Sequence, residues 1–261
     1  MKSILYGLIC LLLLVPAANA QDKTASGLPP GSTPPASIDA KQSGTNGNGL
    51  PKPATDLQPA TYHYQVTIEM GGQKMAMTVT TAITDGGNSW TVVNTMETPQ
   101  GTATDSTAIA KSSLTLQKRS LKQGPVDIEM DYAGDKAAGK MSMNGQDQPI
   151  AADMGGPLFG DAAGGDQSIA SLPLAVGYST TFRNFDIQAQ KVKLQKLNVP
   201  GIETVTVPAG KFEAFRVDIT SGDGGADTKT LWVAKDSRKV VKVSAVAAAM
   251  NGAVITEELT E

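Results

Sequence analysis

Residues 199–246 read VPGIETVTVPAGKFEAFRVDITSGDGGADTKTLWVAKDSRKVVKVSAV. Three short connections divide this stretch into four strands. Pro208 stands at the second position of the first turn and Gly210 at its fourth, the preference of a type I turn. Phe215, Val217 and Ile219 alternate with Arg216 and Asp218, the period of a strand with one buried face. Gly and Asp residues between Ser221 and Asp227 make the next loop. Leu231 and Val233 share a face, and Trp232 points the opposite way. Asp236 to Arg238 turns the chain into a last strand ending near Val246. Links this short cannot carry parallel crossovers, so the stretch is an antiparallel meander.

Working outward, the same period runs through the first half. Tyr62, Tyr64, Val66, Ile68 and Met70 alternate along one strand, and Gly71-Gly72 makes a hairpin turn. Met75, Met77, Val79 and Thr81 alternate along the next. Asp85-Gly86-Gly87-Asn88 turns again into Trp90 to Met96, and Pro99-Gln100-Gly101 follows. Further strands are expected at 102–110, 114–121, 126–132, 138–143 and 146–151. This spacing suits a sandwich or barrel of about 200 residues folding as one unit.

Between the halves, residues 152–167 (ADMGGPLFGDAAGGDQ) break the pattern and read as a Gly-rich loop. Met154, Leu158 and Phe159 are apolar for a surface loop. Residues 168–174 fit a short helix stopped near Pro173. The expectation is either a long connection or a lid over a cavity.

The start of the chain is organised differently. Lys2, the apolar run from Ile4 to Val15 and Ala18-Asn19-Ala20 form a secretory signal with cleavage before Gln21. Cys10 lies inside that run without a small residue before it, so it reads as a signal residue rather than a lipidation site. It is the only cysteine, which leaves the mature chain without a disulfide, a thiolate nucleophile or a Cys-ligated metal. Residues 21–56 are rich in Pro, Gly and Ser and lack apolar periodicity, so they read as a disordered tether. The expected organisation is a signal peptide at 1–20, the tether at 21–56 and one β domain at 57–261.

The later stretch resembles a known family. VPAGKFEAFRV, a polar loop and TLWVAKDSRKVVKV, preceded by SLPLAVGYSTTF at 171–182, look like a domain of unknown function common in envelope proteins of Gram-negative bacteria. That domain is similar in shape to the lipoprotein carriers of the Lol system, which are open β-barrels closed by helices. The resemblance covers roughly residues 168–261 and implies an antiparallel open or curved β-barrel. It carries over no catalytic residues.

The patterns that support chemistry are sparse. His63 is the only histidine and sits opposite in facing to Tyr62 and Tyr64, where it reads as an ordinary strand residue. No Gly-rich phosphate-cradling pattern sits between a strand and a helix. Asp223, Asp227, Asp161 and Asp166 could ligate calcium loosely, but lack the ordered Asp-x-Asp-x-Asp-Gly spacing and read first as turn residues. No basic patch with interleaved aromatics points to nucleic acid, and net charge is −3. No cofactor is implied, and the mature chain shows no membrane-spanning helix.

The methionines are the distinctive feature. Met75-Ala-Met77 and Met141-Ser-Met143 each put two thioethers on one strand face, preceded by Lys74 and Lys140. Ile68-Glu69-Met70 recurs as Ile128-Glu129-Met130, a weak internal repeat. Methionines fill irregular core gaps, line promiscuous apolar pockets, or hold Cu(I). Aromatics are only 5% of the chain, so a sheet with one apolar face has few bulky residues to fill it. The expected function is an exported, periplasmic or extracellular, non-enzymatic envelope protein binding a lipid-like or other apolar ligand. Its expected lining is Met75, Met77, Met141, Met143, Leu158, Phe159, Leu172 and Leu174. The alternatives are a tethered structural or protein-interaction module with an envelope partner, and an unrecognised hydrolase.

Overall fold

The computed structural model of the chain describes residues 49–98, 101–187 and 189–261. The expected signal with Cys10, and the expected tether as far as residue 48, lie outside the described residues.

Alternating apolar positions produce a single antiparallel sheet of 14 strands. The first eight are β1 (Ala60–Met70), β2 (Gln73–Asp85), β3 (Ser89–Thr98), β4 (Gly101–Ala110), β5 (Leu116–Gln123), β6 (Val126–Ala133), β7 (Lys136–Met143) and β8 (Gln146–Asp153). A crossing segment, residues 154–178, follows. It contains a 3-10 turn (Ala162–Gly164) and the short helix α1 (Gly165–Ala170). The chain returns through β9 (Ser179–Asp186), β10 (Lys191–Val207), β11 (Gly210–Ser221), β12 (Thr228–Ala234), β13 (Val240–Ala247) and β14 (Ala253–Leu259). β14 pairs with β1, from Tyr64 opposite Leu259 to Glu69 opposite Val254. The order is therefore β8 through β1, then β14 back to β9. This is the antiparallel meander that the residue pattern calls for, open as the family resemblance implies, with one short helix.

Turn chemistry fixes the register at the hairpins. Gly71 and Gly72 take φ values of 58° and 78°. Both are left-handed, as the two-residue turn matching the twist of its strands requires. Met70 then lies opposite Gln73 and Met75 opposite Ile68.

The outer strands β8 and β9 do not pair with each other. The sheet instead curves around the crossing segment. The Leu116 amide donates to the Leu158 carbonyl at 3.1 Å, and the Phe159 amide donates to the Arg183 carbonyl at 3.2 Å. One short run thus joins the start of β5 to β9. Met154 and Leu158 enter an apolar cluster with Val66, Ile68, Leu121, Ile128, Phe185 and Ile255. Phe159, Ile169, Leu172 and Leu174 enter a second with Trp90, Ile109, Phe182, Phe215 and Leu231. Close approach needs glycine here. A Cβ on Gly164 would collide with Ile109 Cδ1, and one on Gly165 would lie 2.6 Å from the Gly160 carbonyl oxygen. Phe215 is buried, as its alternation implies, and Trp232 faces outward, donating from Nε1 to Glu203 Oε2 at 2.8 Å.

Two local expectations differ from the structure. Residues 162–167, read as loop, begin the helical turns. The larger difference concerns residues 49–56, read as tether. Leu50 is buried with Leu57 in the second cluster, and the Ala54 amide donates to the Ser171 carbonyl at 2.8 Å. Asp56 accepts from Trp90 Nε1 at 2.6 Å and from the Ser112 amide at 3.1 Å. The composition was that of a linker, but one leucine and one aspartate suffice to strap it down.

Candidate functional site

The two methionine pairs lie toward the same end of the curved sheet. Met75 lies opposite Ile68 and Met77 opposite Val66. Met141 lies opposite Ile128 and Met143 opposite Val126. All four partners are buried on the concave side, and directly opposed residues share a face, so all four methionines are on that side too. The β1–β2 and β7–β8 hairpins turn at the same end of an up-and-down meander, so Met70, Met75 and Met143 all lie toward that end, with β3 to β6 between the two hairpins. Exposure is graded from the interior outward. Met77 and Met141 pack against the first apolar cluster, together with Met250 between β13 and β14. Met75 and Met143 remain 50% and 42% exposed. The repeat noted in the sequence reflects cross-strand pairing: in both the β1–β2 and the β6–β7 pair an Ile faces a Met and the neighbouring Glu faces a Lys.

The other four expected lining residues are elsewhere. Leu158, Phe159, Leu172 and Leu174 are each 3% exposed or less, packed in the core rather than along an open pocket. The crossing segment does not cover the methionine mouth as a lid; it fills the interior of the sheet. Met154, Leu158, Phe159, Ile169, Leu172 and Leu174 within it fill a concave face poor in bulky residues.

Sequence reading missed the charges inside the curve. Asp105 and Arg119 sit on the inward faces of β4 and β5 as a fully buried pair. Asp161 of the crossing segment lies near Arg119 and accepts from the Ala162 and Phe185 amides, each at 2.8 Å. Burial pushes its carboxyl up to about 6, against the pull of Arg119 and the two amides. Farther along, Asp166 pairs with Lys229 of β12 at 2.5 Å. Glu257 of β14 faces the same group, and burial followed by the Asp166 charge pushes it up to about 7, opposed by Lys229. Tyr64, Thr81, Asn94 and Gln167 complete a polar cavity of about 20 Å³, room for roughly one water. The available signal was parity: Arg119 is in step with Leu121, and Glu257 with Ile255 and Leu259.

The remaining candidate groups take structural roles. His63 Nδ1 is 3.1 Å from Thr80 Oγ1 on the outer face. Asp227 accepts from the Ala248 amide at 2.7 Å. Among the described residues no group of three or more His, Cys, Asp or Glu gathers to hold a metal. Among the same residues no helix is long and apolar enough to cross a membrane.

Residues 61–260 match the family described as Protein of unknown function (DUF3108), and the chain belongs to that family. The match takes in the first half as well as the stretch whose motifs carried the resemblance. Among solved structures the chain is similar to the hypothetical lipoprotein YmcC of Escherichia coli K12, with 9% identity and a TM-score of 0.33 over 77% of this chain and 84% of that one. It is also similar to a Bacteroides fragilis protein with a YmcC-like fold, at 11% identity and a TM-score of 0.30 over 80% and 98% of the two chains. A DUF1329 family protein from Desulfovibrio piger gives 11% identity and 0.27 over 76% and 82%. No curated protein matches the chain.

Proposed function

We propose that this chain is an exported, non-enzymatic envelope protein that binds a lipid-like or other apolar ligand at the methionine end of its curved sheet. The observation that supports it is the gradient from Met77 and Met141, seated on the apolar cluster, to Met75 and Met143, exposed beside them. Thioethers are flexible and polarizable, so such a surface accepts varied apolar shapes without fixed complementarity. The signal expected at residues 1–20 supports a ligand met in the periplasm or outside the cell. The site is smaller than the sequence suggested. It comprises the methionine mouth and not the whole concave face, because the crossing segment occupies the rest.

A titration with a fluorescent fatty acid tests this. Saturable binding with a Kd of about 1 μM, roughly −8 kcal/mol, is expected. The double variant Met77→Glu/Met141→Glu should lose it while keeping the wild-type β-sheet spectrum. Wild-type protein that leaves the probe in water contradicts the reading. A second reading, a protein-interaction module, is favoured by the filled interior: a partner's apolar side chains would then cover the same methionines. That reading predicts no response to the fatty acid.

A further inference from the structure

At the opposite end of the sheet lies a cleft of about 310 Å³ between the strap at residues 55–58 and the turn joining β12 to β13. We infer that it is a binding site for a phosphate group, independent of the methionine mouth. Two cations line it. The Arg238 guanidinium carbon sits 5.0 Å from the centre of the Phe215 ring, and Lys239 Nζ lies 5.9 Å from the Tyr62 ring. An aromatic face holds a cation in place without neutralising it. Neither forms an ion pair among the described residues, whereas Lys235 and Lys242 nearby both do.

Arg238 Nη1 is shielded from solvent and has no hydrogen-bond partner. A buried guanidinium nitrogen left without an acceptor carries a desolvation cost that an incoming oxyanion removes. The backbone of Arg238 is left-handed, with φ at 57°. A non-glycine residue in that conformation is uncommon, and here it carries the side chain to the cleft. Ser237 and Gln58 add polar groups to the same walls. The one carboxylate present, Asp56, is already engaged by Trp90 Nε1 and by the Ser112 and Leu57 amides, so its charge is partly offset. A tetrahedral phosphate with several acceptor oxygens fits a fork of donors from Arg238 beside the point charge of Lys239.

The phosphate could belong to a lipid headgroup or to a soluble compound. Titrate the whole chain with inorganic phosphate by calorimetry at low salt. A saturable Kd of about 1 mM is expected, weakened about tenfold in Arg238→Gln and severalfold in Lys239→Gln. Lys239 is exposed, so its variant folds whatever Arg238 does for stability. The Met77→Glu/Met141→Glu protein should bind phosphate as wild type does, which separates this site from the methionine mouth. Vesicles of phosphatidylglycerol in phosphatidylcholine distinguish the sources. Co-sedimentation lost in Arg238→Gln assigns a lipid headgroup; phosphate binding without vesicle binding assigns a soluble phosphate. Absence of saturable phosphate binding to wild type, or equal binding by both variants, overturns the inference.

Discussion

The Arg119 guanidinium grips the Asp105 carboxylate through two bonds, Nε to Oδ1 at 2.9 Å and Nη2 to Oδ2 at 2.8 Å, with both side chains closed off from solvent. The pair crosses adjacent strands beneath the crossing segment and holds Asp161 nearby. Removing one partner strands the other charge in the interior. Asp105→Ala should lower stability by about 3–5 kcal/mol, read from the denaturant midpoint. The double variant Asp105→Leu/Arg119→Met should recover most of that loss, since it leaves no buried charge.

Gly164 tests how tightly the crossing segment is packed. Its missing Cβ leaves room for Ile109 and Val92. Gly164→Ala should cost about 1–3 kcal/mol by overpacking. Adding Ile109→Val to the same protein should return part of it. A Gly164→Ala protein as stable as wild type would mean that the segment rides higher above β3 and β4.

The strap is tested at Asp56. Asp56→Ala leaves Nε1 of the buried Trp90 and the Ser112 amide without their acceptor. A loss of about 1–3 kcal/mol is expected, together with a shift in Trp90 fluorescence. A silent substitution would restore residues 49–56 to the tether.

Buried carboxyls set a pH dependence. Glu257 rises from an ordinary value of 4.5 to about 7, and Asp161 from 3.8 to about 6. In each case the unfolded chain releases its proton first, so the folded state carries no penalty below the unfolded values. The penalty grows as pH rises through the interval and is complete above the folded values. The melting temperature should therefore fall between about pH 4 and pH 7, and Glu257→Gln should flatten the upper part of that fall. A melting temperature that rises across the interval contradicts the placement of these groups.

Much of this architecture is legible in residue patterns. Alternation set the facing of Phe215 and Trp232, and Gly71-Gly72 set a register that brings Met75 opposite Ile68. Burial of Phe159 and Leu172 was not legible, because a Gly-rich run has no period to show which side it packs on. Leu50 was hidden for the same reason, a single apolar residue in linker composition. Arg119 and Glu257 stand in apolar register, but the pattern alone does not mark them as inward, since charges at such positions persist only when partners arrive from distant sequence. The phosphate cleft depends on a turn and a strap about 180 residues apart in the chain, a closeness that only the folded sheet creates.

The central claim is that an apolar ligand occupies the methionine mouth, and native mass spectrometry of protein isolated from its own envelope tests it most directly. The account predicts an adduct with the mass of a lipid on the wild-type chain, released on activation, and its loss in Met77→Glu/Met141→Glu. A bare wild-type mass under conditions that preserve lipid adducts on other proteins, or an adduct that survives in the double variant, would contradict it.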